Sequence, residues 1–411
     1  MSDFDEQDRL TRELHDRSHD VGGHPIGLES VKQNARTIQR RRRLVSGVAA
    51  AAAVAVVVPT AMAVTNGLVQ GAQGPVDQPT PGLTEPVDPS PDVDDTRNRD
   101  HQLTTVGLQR GDAPAIAYLN GPSLVQPEGE VSLGARYQGI TQYDEGWIAV
   151  GADSNGDWAT YFLDPDGSVR SDEPVADAFT VSPDGSLVAY TTPDGRLMVD
   201  WDGLSAPAQL NDPDAGQMSP VAVFGEDSCN ESEGEGGCVV FYNTAGAQPK
   251  AFLSSHHGIV ERAGPFRALS DVSGDRLAGQ ISSSLTGSCS AVTDQSFTEQ
   301  WRTCDFRLRR FSPDGRYILG TNAYGDGFAD TELAILDAQT GEPVVRYDGK
   351  GKSFVGILDM VWEDDSHALA VTYEEGTWMV VRLDTEGNVE QAVGGFEADD
   401  MSRPYFLATQ P

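Results

Sequence analysis

A tight turn runs directly into an apolar strand in the eight residues SPDGRYIL, at Ser312–Leu319, and again in SPDGSLVA, at Ser182–Ala189. Proline presets the backbone for the second position of such a turn, aspartate suits the third, and glycine supplies the positive φ that closes it. The turn residues and the apolar run that follows them both favour a β-hairpin. Both stretches therefore predict β-hairpins, and DPDG at Asp164–Gly167 and TPDG at Thr192–Gly195 predict two more.

This turn-and-strand unit recurs along the C-terminal three quarters of the chain. The first residues of its six copies are spaced by 39, 52, 38, 40 and 51 residues. Four-stranded propeller blades repeat about every 40 to 50 residues, so the spacing is that of a blade with two insertions. The copies begin at Gly146, Gly185, Gly237, Asp275, Gly315 and Ser366. We predict an all-β fold for residues 102–411, built as a β-propeller.

The Ser-Pro-Asp-Gly repeats resemble the WD40-like repeats of the TolB-type propeller superfamily. The resemblance implies propeller architecture and says little about activity, because propellers mostly bind partners or carry enzymes on their faces. We expect seven blades, with six as the alternative. In the seven-bladed arrangement, strands near 115–119 and 124–125 share a blade with a C-terminal strand at 405–409, which closes the ring and protects the sheet edges.

The N-terminal part has a different composition. Residues 1–43 form a predicted cytoplasmic tail, partly helical or disordered, that ends in Arg40, Arg41, Arg42 and Arg43. Residues 44–64 carry no charge, and as a helix they would measure roughly 31 Å, close to the roughly 30 Å hydrocarbon core of a bilayer. Because positive residues flank the cytoplasmic end of a span, we predict a single-pass cell-membrane protein with an extracytoplasmic C-terminal domain.

Residues 65–101 are rich in proline and are predicted to form an extended extracytoplasmic stalk. An alternative to the anchored topology is cleavage after Ala63, because Ala61, Met62 and Ala63 match the pattern of a signal-peptidase site. Cleavage there would make residues from Val64 onward a secreted protein.

The charge distribution excludes one class of partner. Residues 1–43 carry a net charge of +1 and the whole chain carries −34, so residues 44–411 carry −35. Nucleic-acid binding depends on clustered Lys and Arg, and we therefore predict that the large domain does not bind nucleic acid.

All four cysteines lie C-terminal to the predicted span, in two close pairs. We expect one local disulfide between Cys229 and Cys238 and another between Cys289 and Cys304. We interpret the residues between Cys289 and Cys304 as a polar insertion. Neither pair has the spacing of a zinc site, and we predict no metal, cofactor or catalytic residue. An EF-hand-like string at Asp153, Asn155 and Asp157 lacks the required glycine and glutamate.

Three functions are compatible with these features. The first is a membrane-anchored binding or scaffold module for a protein, glycan or cell-wall ligand. The second is a transmembrane regulator whose tail binds a cytoplasmic partner. Its layout resembles actinobacterial membrane proteins associated with extracytoplasmic-function sigma factors, although His15 and His19 have no cysteine companions. The third is a hydrolase or lyase on a propeller scaffold. Because the sequence contains no catalytic motif, we predict that the protein is not an enzyme.

Overall fold

The computed structural model describes residues 99–152, 158–173, 178–192, 195–201, 204–207, 218–225, 237–246, 248–255, 260–284, 287–325, 329–351 and 353–409. Several predictions lie outside these residues. They are the cytoplasmic tail with its four arginines, the span at 44–64, the cleavage site at Ala63, nearly all of the stalk, Cys229 and the EF-hand-like string at 153–157. Within the described part of the chain, no helix has the length and apolar character needed to cross a membrane.

The described residues form seven β-sheets, which we call blades I to VII and whose strands are numbered in chain order. Blade I contains β29 (Tyr405–Leu407), β2 (Tyr118–Asn120), β3 (Ser123–Gln126) and β4 (Gly129–Ser132). Blade II contains β5 (Tyr137–Tyr143), β6 (Gly146–Ala152), β7 (Trp158–Leu163) and β8 (Val169–Glu173). Blade III contains β9 (Phe179–Val181), β10 (Leu187–Thr191), β11 (Leu197–Trp201) and β12 (Leu204–Pro207).

Blade IV contains β13 (Met218–Phe224), β14 (Val239–Thr244), β15 (Lys250–Ser255) and β16 (Val260–Arg262). Blade V contains β17 (Ala268–Ser273), β18 (Arg276–Ser284), β19 (Gly287–Asp294) and β20 (Glu299–Thr303). Blade VI contains β21 (Phe306–Phe311), β22 (Tyr317–Asn322), β23 (Glu332–Asp337) and β24 (Pro343–Asp348), and β1 (Asp100–Gln102) joins its outer edge. Blade VII contains β25 (Val355–Trp362), β26 (His367–Glu374), β27 (Thr377–Asp384) and β28 (Val389–Glu397).

The blades are arranged in a closed ring. The innermost strands are β29, β5, β9, β13, β17, β21 and β25, and each contacts the next, with β25 returning to β29. Side chains from facing sheets fill the space between neighbouring blades, so the apolar core is divided into several clusters around the ring. Its largest fully buried side chains are Trp378, Tyr242 and Tyr347. The prediction of an all-β, seven-bladed propeller is confirmed.

Closure of the ring depends on a sheet made from both ends of the domain. The C-terminal strand β29 pairs with β2, with Tyr118 opposite Leu407 and Asn120 opposite Tyr405. Strand β2 in turn pairs with β3, where Leu119 lies opposite Leu124. The predicted blade built from residues near 115–119, 124–125 and 405–409 is therefore present, with β29 as its innermost strand.

The predicted turns have the expected geometry. Gly185 and Gly315 have φ values of 77° and 70°, and their N–H groups donate to the carbonyl oxygens of Ser182 and Ser312 at 2.9 and 2.8 Å. A residue with a Cβ is disfavoured at such φ values, which explains the glycine. In both turns the serine hydroxyl also donates to the turn aspartate, Asp184 or Asp314. Each turn therefore leads into the second strand of its blade.

The turn aspartates make the stability of the fold sensitive to acid. Burial opposes their ionisation, but hydrogen bonds from neighbouring serines and backbone N–H groups outweigh it and hold the pKa of Asp184 and of Asp314 below the usual value. A carboxyl whose pKa is lower in the folded state stabilises the fold above its unfolded pKa of about 3.9, and this stabilisation is lost as the pH falls through the folded pKa.

We therefore expect the free energy of unfolding to fall as the pH drops below about 4, and to fall less steeply in an Asp184→Asn, Asp314→Asn double variant. Urea unfolding at a series of pH values from neutral to acid would measure both slopes. A variant with the exposed Asp365→Asn serves as the control and should follow the unmodified chain. Equal pH dependence in the double variant and the unmodified chain would contradict this account.

An N-terminal strap, residues 99–116, runs along the outside of the ring before blade I begins. Strand β1 pairs in parallel with β24, with His101 opposite Tyr347. Leu103 follows as a fully buried member of the core between blades VI and VII. Asp100 and His101 are thus part of the sheet of blade VI.

The strap continues across blade VII to blade I. The backbone N–H and the hydroxyl of Thr105 donate to Oε2 of the buried Glu374 at 2.7 and 2.6 Å. Further along, the N–H of Gly111 donates to the carbonyl oxygen of Gln391 at 3.0 Å, and Ile116 is buried between blades VII and I. The strap therefore ties blades VI, VII and I together from the outside.

Candidate functional site

The two faces of the ring carry different sets of loops. Because neighbouring strands of a blade are antiparallel, the loops after the second and fourth strands open on one face, which we call the upper face. The loops after the first and third strands open on the lower face. Thus the β22–β23 and β24–β25 loops belong to the upper face, and the β23–β24 loop belongs to the lower face.

The upper face carries most of the exposed large apolar side chains of the described residues. Tyr324, in the β22–β23 loop, is 61% exposed, and Phe354, in the β24–β25 loop, is 50% exposed. Phe396, Met401 and Val106 are also exposed and lie at the same face of blade VII or beside it. On the lower face the corresponding exposed residue is Val169, at the start of β8. Exposed apolar residues concentrated on one face are typical of an interaction surface.

A shallow cleft on the upper face separates blades VII, I and II. Its volume is about 270 Å³, and its lining consists of Asn120, Gly121, Pro122, Arg136, Phe396, Ser402 and Pro404. Small-molecule sites usually enclose roughly 300–1,000 Å³ and present several convergent polar groups. This cleft is smaller and contains a single charged side chain, so it fits a side chain of a partner better than a complete small substrate.

Charged side chains meet at the inner end of blade VI. Arg307 and Arg309, two residues apart in β21, both bind Asp330 of the β22–β23 loop. Arg307 Nη2 lies 2.9 Å from Asp330 Oδ1, and Arg309 Nη2 lies 2.6 Å from Asp330 Oδ2. The backbone of Asp330 is held in turn by Ile357 of blade VII, through hydrogen bonds of 3.0 and 2.7 Å. The carboxylate is therefore fixed between two guanidinium groups.

The charged group extends to blade I. Arg403, just before β29, lies 3.4 Å from Oδ2 of Asp359 in β25 and donates to the carbonyl oxygen of Leu358. The backbone of Asp330 pairs with Ile357, two residues before Asp359 in β25, which brings the two ion pairs to neighbouring strands. We call these five residues the inner arginine cluster: Arg307, Arg309, Arg403, Asp330 and Asp359.

Burial acts against the positive charges of this cluster. Desolvation, and then the neighbouring Arg307, lower the pKa of Arg309 despite the attraction of Asp330. Desolvation likewise lowers the pKa of Arg403 despite Asp359. Three guanidinium groups face two carboxylates, so the cluster carries one excess positive charge. This is notable in a chain whose net charge is −34.

The predicted cysteine sites are found in part. Cys289 and Cys304 form a disulfide, and Cys238 is also disulfide-bonded. Our interpretation of residues 289–304 as a polar insertion was wrong, since they form the outer hairpin β19–β20 of blade V. Ser290 lies opposite Thr303 in that hairpin, which brings the two cysteines together across the strands. No group of three or more potential metal ligands occurs in the part of the chain that the structure describes.

The inner arginine cluster was not predicted from the sequence. A signal for it was present, since residues 306–311 read FRLRRF in a strand that precedes an anchor turn. Arginines alternating with buried residues in an inner strand are unusual, because charged side chains rarely lie in the interior without partners. The partners Asp330 and Asp359 are remote in sequence, and no local motif connects them to the strand.

Comparison with known proteins returns likenesses in structure alone. No protein-family model and no curated protein sequence matches the chain. Among solved structures, the C-terminal WD40 domain of Sif2 is similar over 60% of this chain and 71% of its own, with 12% identity and a TM-score of 0.39. The propeller domain of the Trilobed protease from Pyrococcus furiosus is similar over 63% of this chain and 86% of its own, with 13% identity and a TM-score of 0.42.

Prolyl oligopeptidase B from Galerina marginata is similar over 64% of this chain and 43% of its own, with 10% identity and a TM-score of 0.43. The class of the fold is decided by its own architecture, which is seven blades in a closed ring with turn-and-strand repeats at the second strands. The chain is a seven-bladed β-propeller. A propeller of this kind is a scaffold suited to binding, since its loops present a broad surface on a rigid ring.

Proposed function

We propose that this propeller is a binding module, held outside the cytoplasmic membrane by residues 44–64, whose upper face binds a protein partner. The observation that carries the proposal is the concentration of Tyr324, Phe354, Phe396 and Met401 on that face. Aromatic residues and methionine are enriched at the cores of protein interfaces, where they are removed from water. The sequence analysis gave a glycan or cell-wall ligand as alternatives to a protein. The exposed apolar residues of the upper face favour a protein.

The route of the N-terminal strap supports the choice of face. Arg99 donates from Nη1 to the carbonyl oxygen of Pro343, and its own carbonyl accepts from the N–H of Arg346. Pro343 is the first residue of β24 and follows a lower-face loop, so the chain enters the propeller from the lower side. The first described residues of the chain therefore lie on the opposite side of blade VI from Tyr324 and Phe354.

The proposal is tested by photo-crosslinking in intact cells that carry the full chain. A crosslinking amino acid replaces Tyr324, Phe354 or, as the lower-face control, Val169. We expect one protein to be joined from both upper-face positions, in the membrane fraction, and not from position 169. Interfaces concentrate their energy in a few apolar residues, so a Tyr324→Ser, Phe354→Ser variant that remains folded should lose the partner.

Two results would contradict the proposal. One is a crosslinking pattern that is the same for both faces. The other is recovery of the unmodified chain as a soluble protein that begins near Val64, because a released domain is not held at the membrane.

A further inference from the structure

The inner arginine cluster has more positive charge and more donors than its own carboxylates use. Each guanidinium has five N–H donors, and Asp330 already accepts from two of the three arginines. Nε of Arg307 and Nε of Arg403 are buried and have no hydrogen-bond partner among the described residues. Burying a charge or a donor without a partner costs free energy, so a further acceptor at this place would stabilise the folded chain.

The cluster can be reached from the upper face. The side chain of Arg307 is 34% exposed, and that of Arg309 is 22% exposed, whereas Asp330 beneath them is 8% exposed. Asp330 lies in the same loop as the exposed Tyr324, and its backbone pairs with Ile357, three residues after the exposed Phe354. Tyr324 and Phe354 thus lie within six residues, along the chain, of the two backbone segments that pair at Asp330, the residue that binds the guanidinium of Arg307.

Gly325, next to Tyr324, lies close to the Arg307–Asp330 pair, and we call the surface at this glycine the entry. A Cβ atom built on this glycine would lie 3.9 Å from Arg307 Nη2 and 3.6 Å from Asp330 Oδ1, at ordinary van der Waals separation. Among the described residues, which leave out 326–328, no other atom apart from those of the glycine's chain neighbours lies within 4 Å of this Cβ position. A short acidic side chain placed above Gly325 would be within reach of Arg307.

We propose that Arg307 and Arg309 bind a carboxylate, supplied by an acidic side chain or the C-terminus of the partner that docks on the upper face. Guanidinium and carboxylate groups match in geometry and form charge-assisted hydrogen bonds. The charge favours a monoanion, because one negative charge neutralises the excess of the cluster. A phosphate dianion would leave a surplus of negative charge beside Asp330 and Asp359. The inference rests on the proposed function for the source of the carboxylate, and the site itself is testable without the partner.

The test uses the full chain and acetate as the probe. Thermal unfolding is followed while acetate replaces chloride at constant ionic strength. A ligand that binds only the folded state raises the unfolding midpoint as its concentration increases, so we expect a saturable rise. Arg307→Gln should weaken acetate binding by about ten-fold, the usual effect of losing a hydrogen bond to a charged group. Arg302→Gln, in an exposed arginine paired with Glu299, should leave the acetate response unchanged.

A second variant covers the case in which Arg307→Gln does not fold. Gly325→Asp places a carboxylate of the chain itself at the entry, and we expect it to abolish the response to acetate, whereas Gly325→Asn should retain it.

No rise with acetate, an equal rise in Arg307→Gln, or a larger rise with phosphate at the same ionic strength would overturn the assignment of a carboxylate site. If acetate binds and no partner is crosslinked, the proposed function fails and the site stands. If the partner is crosslinked without an acetate effect, the site fails and the proposed function stands.

Discussion

Replacing Arg382 with alanine is expected to destabilise the propeller by about 3–5 kcal/mol, the usual cost of removing one member of a buried ion pair. Arg382, in β27, donates to both carboxylate oxygens of Glu363, with Nη2 2.8 Å from Oε1, and also binds Glu390. The side chain of Glu363 is only 3% exposed. Without the arginine, this carboxylate would be left buried and uncompensated, since water cannot reach it fully.

The same arginine holds the strap. Its Nη1 and Nη2 donate to the carbonyl oxygens of Asp112 and Ala113 at 3.2 Å each, and Glu363 accepts from the N–H of Ala115 at 2.6 Å. The hydrogen bond to Glu363 raises the pKa of Arg382, which therefore stays charged at every pH in use. Loss of Arg382 should thus remove two hydrogen bonds between the strap and blade VII, and it should also leave the buried carboxylate of Glu363 without its cation.

Urea unfolding of the full chain at neutral pH would measure the effect. Arg302→Ala is the matched control, because Arg302 also pairs with a glutamate but lies at the surface, 61% exposed. Exposed ion pairs contribute about 0–1 kcal/mol, so the control should change the free energy of unfolding little. If the two variants are destabilised equally, the strap network does not stabilise the ring as described.

Removal of β29 is expected to prevent cooperative folding. Tyr405, Phe406 and Leu407 are each buried, and they alternate between two core clusters, one on either side of blade I. Fully burying one such side chain contributes about 1.5–3 kcal/mol. Losing three of them would remove a large part of the roughly 5–15 kcal/mol by which a domain is usually stable. It would also leave β2 as an unpaired inner edge.

A chain that ends at Arg403 tests this expectation. We expect it to lose the cooperative thermal transition and the near-ultraviolet circular dichroism of the full chain, and to associate, because open sheet edges pair with other chains. A chain that ends at Thr409 keeps β29 and should unfold as the full chain does. A truncated protein at Arg403 with an unchanged transition would show that the ring does not need its C-terminal strand.

The number and placement of blades were predictable because the signals are local. The turn Ser182–Gly185 specifies its own hairpin through proline, aspartate and glycine within four residues. The spacing of these turns then indicates six blades. The remaining strands, one group at each end of the domain, predict a seventh blade in which they pair with each other. The predicted tail, span and stalk follow from composition in the same way and remain predictions, together with the pairing of Cys229.

The misreading of residues 289–304 shows where local reasoning stops. From the sequence, the polar segment between Cys289 and Cys304 is interpreted as an insertion. In the ring this segment is the outer hairpin of blade V, in which β20 is the outermost strand and has no buried residue, whereas β19 has five buried residues and no exposed one. Only the position of a strand within its blade distinguishes the two cases.

The sequence by itself determined the architecture of this protein, because turn chemistry and strand periodicity act between residues that are neighbours in the chain. Tertiary structure alone decided the candidate site. Arg307 and Asp330 meet only when β21 and the β22–β23 loop of blade VI come together, and Arg403 meets Asp359 only when the chain before β29 returns beside β25. The strap depends on the same closure, since it reaches blade I after contacting blades VI and VII. Charges far apart in sequence give no periodic signal, and their pairing becomes visible only when the folded backbone sets the distances between them.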